Sequence, residues 1–279
     1  MTEQDRLLTL KKIILDKLNF DLGQYKESYI ERRVNTRINL THTGNLHEYI
    51  KLLEKDQAEL MNLMDSLTVN VTKFFRNIET FETLEKDIIP KIIKNKNNSS
   101  RDIIKVWSAG CSSGEELYTL TILFLEALEK SGKQYKLLVQ GTDIDRKSLT
   151  KARIGRYRSE NVKSIRKDLL EKYFENDGTY YHVKPHVKEH VKINHLDLSS
   201  DFDRLSITYE LILCRNVVIY FNKDVKQALF MKFYNMLQKD GFLVLGKNES
   251  ITGDALCHLE NVNISERVYK KTLHGKITD

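Results

Sequence analysis

Four short polar segments, three of them closing an apolar run, carry the side chains with the best claim to chemistry. The first is Ser108-Ala-Gly110-Cys-Ser-Ser-Gly114-Glu115-Glu116, which follows the apolar run Ile103–Trp107. Glycines here let the backbone approach a ligand closely and let the next helix start tightly. The G-x-x-x-G spacing is not the dinucleotide G-x-G-x-x-G, and the Gly-Lys-Ser/Thr of a P-loop is missing. Two carboxylates directly behind the turn disfavour a pyrophosphate and suit a cationic ligand. The alternative is an ordinary strand–helix turn in which Glu115 and Glu116 stabilise a helix N-terminus. The second segment, Gly141-Thr-Asp143-Ile-Asp145, places an acid where both hydroxyls of a ribose can be accepted. The alternative there is a helix N-cap; Asp145 is the better placed for that, which leaves Asp143 as the ligand candidate. The third puts Arg215-Asn216 at the end of the apolar run Leu211–Cys214, with Tyr220 just beyond. Its alternative is a core strand whose arginine reaches solvent. In the fourth, Asn70, Thr72 and Arg76 fall at even spacing on a segment able to close over the same pocket; alone it is an unremarkable helix end.

The elements that must position these residues are legible from periodicity. From about Asp5 to Phe81 apolar residues recur at helical spacing: Leu7, Leu10, Ile14 and Leu18, then Tyr29–Leu40, Leu46–Leu53 and Leu60–Leu67, with Gly23 and Gly44 at the breaks. After the polar stretch 95–101 the pattern changes to short apolar strands alternating with helices. Strands are expected at Ile103–Trp107, Leu137–Val139, Val191–Ile193, Leu211–Cys214 and Phe242–Leu245, and helices at Glu115–Glu129 and Lys223–Leu237. A terminal hairpin is expected from Val262–Ile264 and Val268–Lys271. This alternation predicts an α/β fold, a doubly wound and mostly parallel sheet with one antiparallel strand at or near its edge. Residues 1–78 are expected to form an all-helical domain and 79–279 the α/β domain. Within the latter, a small insertion at about 157–193 reads as a helix followed by a small antiparallel element, with the turn Asn176-Asp177-Gly178 followed by extended-looking Tyr180–Val183 and Val187–Val191.

Composition narrows the classes. Of 279 residues 41% are hydrophobic, enough for a packed core in one large domain or two modest ones. Lys+Arg 45 against Asp+Glu 39 leaves +6, which permits an anionic partner but falls short of a nucleic-acid-binding tail. Cys111, Cys214 and Cys257 stand apart with no CxxC pair, which argues against a disulfide framework and a zinc cluster and for a reducing cytoplasm. The longest uncharged apolar run, Leu117 to Leu125, is shorter than the ~20 residues that cross a bilayer, and the charged start has no apolar signal core. A soluble cytoplasmic chain, with no membrane insertion and acting as a monomer, is the expectation. His182, His186 and His190 would share a face at strand spacing, but Pro185 and the absence of an acid or cysteine partner argue against a metal.

Lys26, Arg33 and Arg37 fall at i, i+7 and i+11, within one sector of a helix beside the apolar stripe Ile30, Val34 and Ile38. A basic sector on the exposed border of a packed face suits an acidic helical substrate. The alternative is a solvated flank paired with Glu27 and Glu31.

Taken in order, TVNVTKFFRN, KVWSAGCSSGEELYT, QGTDID, LILCRNVVIYF and GFLVLGKNES resemble one family, the CheR-type chemoreceptor glutamate methyltransferases, and the resemblance spans nearly the whole chain. It implies a class I methyltransferase fold, S-adenosylmethionine as cofactor, no metal, and the cytoplasmic helical bundle of a chemoreceptor as partner. It implies that Asn70, Thr72 and Arg76 line the methionyl end of the cofactor and that Glu116 and Asp143 hold its amino group and ribose. Asp197, Leu198, Arg215 and Asn216 fall where the family contacts or shapes the adenosine pocket, and Arg76 and Tyr220 near the transferring methyl. The receptor-recognition helix of the family lies in the region of Lys26, Arg33 and Arg37. A small β-subdomain can dock a receptor's C-terminal peptide by strand addition; the turn after Phe174 is short here, which implies independence from such a tether. Three departures stand out: Leu117 replaces a proline, Asp197 an asparagine, and Lys247-Asn248 a His-Ser before Glu249. Nucleic-acid methyltransferases are the nearest rival, but the chain has no Pro-Pro and its cysteines all follow Gly or Leu. A cofactor-binding signalling module without turnover is the rival from another class.

Overall fold

The computed structural model describes residues 3–96, 103–202 and 207–272. The chain forms two compact units, one reaching to Val69 and including Tyr220–Val225, the other made of Asn70–Ile219 and the chain from Lys226 onward. The division falls after Val69 rather than after residue 78. The reason is that the ring of Phe74 is fully buried in the second unit, against Tyr157 at 4.8 Å and Phe174 at 5.5 Å.

The first unit is helical: α1 (Glu3–Leu18), α2 (Glu27–Thr41), α3 (Leu46–Lys55) and α4 (Gln57–Leu67). On α2, Tyr29, Ile30, Val34 and Ile38 are buried at the 3.6-residue period that the sequence shows. Helix α3 starts because Asn45 accepts the Glu48 N–H at 3.1 Å, and α4 because Asp56 accepts the N–H groups of Ala58 and Glu59. Helix α2 closes on His42 in the left-handed region rather than on Gly44.

Arg37 departs from the exposed basic sector expected of it. Its guanidinium makes a two-pronged contact with Glu59, the Nε–Oε1 arm being 2.9 Å, and Glu59 also accepts the Tyr49 hydroxyl at 2.7 Å. The Glu59 side chain is only 6% exposed, so an arginine must neutralise it, and Arg37 serves the interior of this unit. Lys26 stays exposed, and Arg33 is half-buried with its guanidinium 5.4 Å from the centre of the Tyr29 ring.

The segment Tyr220–Val225 joins this unit through backbone contacts. Phe221 forms an antiparallel bridge with Tyr25, the Lys26 N–H donates to the Tyr220 carbonyl at 2.9 Å, and the Asn222 N–H donates to the Gln24 carbonyl at 3.0 Å.

In the second unit, α5 (Ile78–Thr83) runs through one wide turn, Leu84–Ile88, into α6 (Ile89–Lys96). Pro90 accounts for the widening: it has no N–H and crowds the carbonyl four residues back, and a turn closed by Ile89 N–H on Leu84 O relieves this. Then come β1 (Ile103–Ala109), α7 (Glu115–Ser131), β2 (Lys136–Asp143), α8 (Arg146–Ile154), β3 (Arg156–Arg158), α9 (Ser159–Val162), α10 (Lys167–Tyr173), β4 (Phe174–Asn176), β5 (Tyr180–Val183) and α11 (Pro185–Lys188). They are followed by β6 (Val191–His195), β7 (Tyr209–Cys214), α12 (Lys223–Met236), β8 (Leu237–Leu245), β9 (Leu259–Asn263) and β10 (Val268–Lys271).

The main sheet has the order β6-β2-β1-β7-β8-β10-β9, parallel except that β10 runs against both β8 and β9. The antiparallel strand thus lies next to the edge, as the alternation predicts. Strand order reverses between β1 and β7, the topological switch where such sheets open a crevice at their carboxyl ends. One core gathers α5, α6 and α7 with β1, β2, β7 and β8. Another aromatic contact set holds the fully buried Trp107, whose ring lies 5.4 Å from Tyr209 and 5.6 Å from Phe233 and whose Nε1–H donates to Thr142 at 2.9 Å.

The insertion is a separate three-stranded antiparallel sheet, β3-β5-β4. Tyr180–Val183 is extended as the sequence indicates, whereas Val187–Val191 is not extended along its length, because Val187 and Lys188 lie in a short helix. Asp177 accepts the Thr179 and Tyr180 N–H groups and so closes a tight turn between β4 and β5. Pro185 then starts the short helix α11, because its fixed φ and missing N–H suit a first helical position. The strand spacing of the three histidines disappears with it: His182 is on β5 bonded to Asp177, His186 is on α11, and His190 follows α11. Among the described residues no helix is long and apolar enough to cross a membrane.

The Glu59 cluster sets a stability prediction. Arg37→Ala leaves a buried carboxylate without its cation and is expected to cost about 3 kcal/mol. A denaturant titration of the whole protein measures it, and a loss below ~0.5 kcal/mol would return Arg37 to the class of surface flank.

Candidate functional site

The site is built around the turn that closes β1. Gly110 and Gly114 both adopt positive φ, 85° and 97°. A Cβ on Gly110 would lie 2.4 Å from Val217, and one on Gly114 would lie 2.9 Å from the Tyr157 hydroxyl, so no other residue fits either position. Between them Ser112, itself at φ 47°, turns its N–H onto the Asp143 carboxylate at 2.8 Å.

Asp143 ends β2, as the sequence indicates. Its other oxygen accepts the Asp145 N–H at 2.9 Å. A carboxylate offers roughly four acceptor directions, so two backbone bonds leave it able to accept ligand hydroxyls. Burial pushes the Asp143 carboxyl above its ordinary pKa, against the pull of those backbone N–H groups. Asp145 is the N-cap of α8, bonding the Lys147 N–H at 2.8 Å, and it also receives the Asn70 side-chain amide at 2.5 Å. Asn70 in turn accepts the Ser112 hydroxyl at 3.3 Å. One side chain from the 70–77 segment thereby links the turns after β1 and β2.

Arg215, at the end of β7, does not reach solvent. Its side chain is 1% exposed and pairs with Glu116 at 3.1 Å. It also donates to the Arg76 carbonyl at 2.7 Å and the Asn77 side chain at 2.9 Å, with its guanidinium 5.1 Å from the centre of the Phe81 ring. The other oxygen of Glu116 accepts the Ser108 hydroxyl at 2.8 Å. Arg76 is held by a 2.7 Å bond from its Nη1 to the Val71 carbonyl. Thr72, on the same segment, is half-buried.

Asn216 follows at φ 60°, and its Oδ1 is buried with no hydrogen-bond partner among the described residues. Its backbone N–H donates to Glu249 at 2.9 Å. Sequence reasoning gave Glu249 no role; four backbone donors converging on one side chain leave no mark in a sequence. After β6, the Leu196 N–H donates to the Asp143 carbonyl at 3.1 Å and brings in Asp197 and Leu198, both buried. Asp197 spends one oxygen on the N–H and hydroxyl of Ser199.

Asn70, Arg76, Glu116, Asp143, Arg215 and Asn216 thus belong to one unit and are tied by these bonds, with Asp197 joined through the backbone. Tyr220 does not share that unit. It lies with the helical one, its ring 4.7 Å from that of Tyr29. Lys26, Arg33 and Arg37 are in the helical unit as well.

Two acids, a glycine turn and an orphaned buried amide oxygen at a sheet switch point fit a cationic nucleoside cofactor without phosphates. They define the class of S-adenosylmethionine-dependent methyltransferases with a doubly wound sheet. Residues 70–268 match the family model "CheR methyltransferase, SAM binding domain", and residues 6–68 match "CheR methyltransferase, all-alpha domain". The chain belongs to the CheR methyltransferase family. It is 34% identical over 254 residues to a chemotaxis protein methyltransferase of Borreliella burgdorferi, covering 90% of each chain. It is 32% identical over 256 residues to one of Listeria innocua, covering 92% of this chain and 94% of that one. Among solved structures, a TehB-like methyltransferase of Corynebacterium glutamicum aligns with 19% identity and a TM-score of 0.36 over 70% of this chain and 96% of that one.

Two measurements follow from Asp143. Asp143→Ala is expected to lower affinity for S-adenosylhomocysteine by about 2–4 kcal/mol, read by calorimetric titration; unchanged affinity would remove it from the site. Because only the ionised carboxylate offers all its acceptor positions, wild-type affinity should fall as pH drops through the raised pKa, and Asp143→Asn should abolish that dependence. Without cofactor the sign reverses. A folded pKa above the unfolded one means extra protons bound by the folded state, so Asp143's contribution to stability is greatest in acid and is lost as pH rises through the raised value.

Proposed function

We propose that this protein transfers the methyl group of S-adenosylmethionine to glutamate side-chain carboxylates on the cytoplasmic helical bundle of chemoreceptors, as a cytoplasmic protein-glutamate O-methyltransferase. The observation that carries the reading is the match of one chain, in order, to both domain models of the family. The names of the relatives, chemotaxis protein methyltransferases, support it. When bound, the sulfonium of the cofactor supplies an activated methyl group.

Little more is needed from the protein, since a glutamate carboxylate is already ionised at neutral pH. Asp143 accepts the ribose hydroxyls and Glu116 faces the positive end of the cofactor. Asn70, Thr72, Asp197, Leu198, Arg215 and Asn216 shape the rest of the pocket. Arg76 or Tyr220 orients the target carboxylate, and the work of the enzyme is alignment and exclusion of water. Arg76 uses one of its five N–H donors on Val71 and retains the others for an anion. The ester formed is neutral, so each transfer removes one negative charge from the receptor and can bias a two-state bundle.

Lys26, just before α2, and Arg33 on it present positive charge to an acidic receptor helix, while Arg37 supports α2 from inside through Glu59. Incubating the protein with methyl-labelled S-adenosylmethionine and receptor-bearing membranes should label the receptors as base-labile methyl esters, which release labelled methanol on alkaline hydrolysis. Label retained after base would put the methyl group on another acceptor. In the same assay Arg33→Glu should keep S-adenosylhomocysteine affinity and lower receptor methylation several-fold, with wild-type activity falling as salt rises. A wild-type rate for Arg33→Glu at every salt concentration would move the docking surface elsewhere.

The tight turn at Asp177 supports the further proposal that no receptor C-terminal peptide is needed as a tether. Receptors truncated at that end should be methylated as fast as full-length ones, and strong binding of the isolated peptide would refute it.

A further inference from the structure

Glu249 is a buried carboxylate, 3% exposed, that the reaction as described does not use. Its partners are backbone N–H groups: Asn216 at 2.9 Å and Gly246 at 2.6 Å on one oxygen, Val217 at 2.9 Å and Ile219 at 3.2 Å on the other. Such a convergence of backbone donors makes an anion nest, and here the anion is built into the chain. The nest is also shaped for it. A Cβ on Gly246 would lie 2.7 Å from the Glu249 carboxylate and 2.9 Å from the Asn216 nitrogen, so only glycine leaves room.

What the carboxylate holds is the stretch that begins with Asn216, in the left-handed region at φ 60° and with its Oδ1 buried and unpartnered among the described residues. Asparagine tolerates that region better than most other side chains, but one whose amide oxygen is buried is kept in one conformation there by what surrounds it. Three of the four N–H bonds, those of Asn216, Val217 and Ile219, supply that constraint, and they lie directly behind Arg215, while the fourth, from Gly246, fixes the carboxylate itself.

We propose that Glu249 is a positioning residue of the methyl-transfer site, an internal anion that sets the backbone of residues 216–219 so that Asn216 meets the cofactor. The inference rests on the placing of Asn216 in the cofactor pocket. An exchange of carboxylate for amide turns two acceptors into one and points an N–H₂ group at backbone donors.

The test is a double-mutant cycle of Glu249→Gln and Asn216→Ala, read as S-adenosylhomocysteine affinity by calorimetry, with the receptor KM and the melting temperature taken alongside. Glu249→Gln is expected to weaken cofactor affinity on the order of tenfold to a hundredfold, with the receptor KM unmoved. If Glu249 acts through Asn216, the two losses do not multiply, and the double variant binds about as weakly as the weaker single one. Losses that multiply, or Glu249→Gln binding like wild type while Asn216→Ala is weakened, overturn the inference. Asn216→Ala binding like wild type overturns the pocket assignment, and the inference with it. Should Glu249→Gln fail to fold, Gly246→Ala keeps the charge and crowds the same carboxylate. It is expected to weaken cofactor binding in the same direction, and wild-type affinity there overturns the inference.

Discussion

The guanidinium of Arg215 is the charge around which the α/β unit is assembled. Removing an unpaired guanidinium from water costs several kcal/mol, and truncating either member of a buried pair typically costs about 3–5 kcal/mol. Arg215 avoids that penalty because its partners arrive from places remote in sequence: Glu116 on α7, the carbonyl of Arg76, the side chain of Asn77, and the ring of Phe81 on α5. The obligation runs both ways. The 70–77 segment is brought to the end of β7 because the arginine has no water to turn to, and Glu116 is oriented by the same contact.

Three further carboxylates at this end of the sheet meet burial with other kinds of partner. Asp143 and Glu249 rely on backbone N–H groups, and Glu115 takes the Ser113 hydroxyl at 2.7 Å. Burial raises the pKa of all three. The difference in partners separates their uses. Glu116 is matched by a full positive charge and Glu249 by four donors, whereas Asp143 keeps acceptor capacity for something outside the chain.

The alternation of strands and helices was legible because the central parallel strands are short apolar runs that stop at a glycine or a charged residue, Gly110, Asp143, Arg215 and Gly246. Asp143 and Asp145 could be told apart by position alone, one ending a strand and one capping a helix. Arg37 could not be read correctly, since the Glu59 that claims it lies 22 residues away on another helix. Within the insertion, Val187–Val191 was read as extended, but Pro185 at a first helical position starts a short helix there. Arg215 could be placed at the site from the sequence, but its pairing with Glu116 could not, because that carboxylate is 99 residues distant. Glu249 had no visible role for a related reason: its donors are peptide groups, which every residue has, and only the path of the chain brings four of them to one point.

The six-residue stretch Tyr220–Val225 carries a consequence for heredity. The helical unit is not one continuous length of chain, because Tyr25 needs Phe221 and Gln24 needs Asn222 to complete their backbone contacts. A single recombination at the seam after Val69 would deliver the helices without the strip that belongs to them. Any chimera that exchanges this unit must therefore move two separate stretches of the coding sequence together, or retune the strip after the exchange.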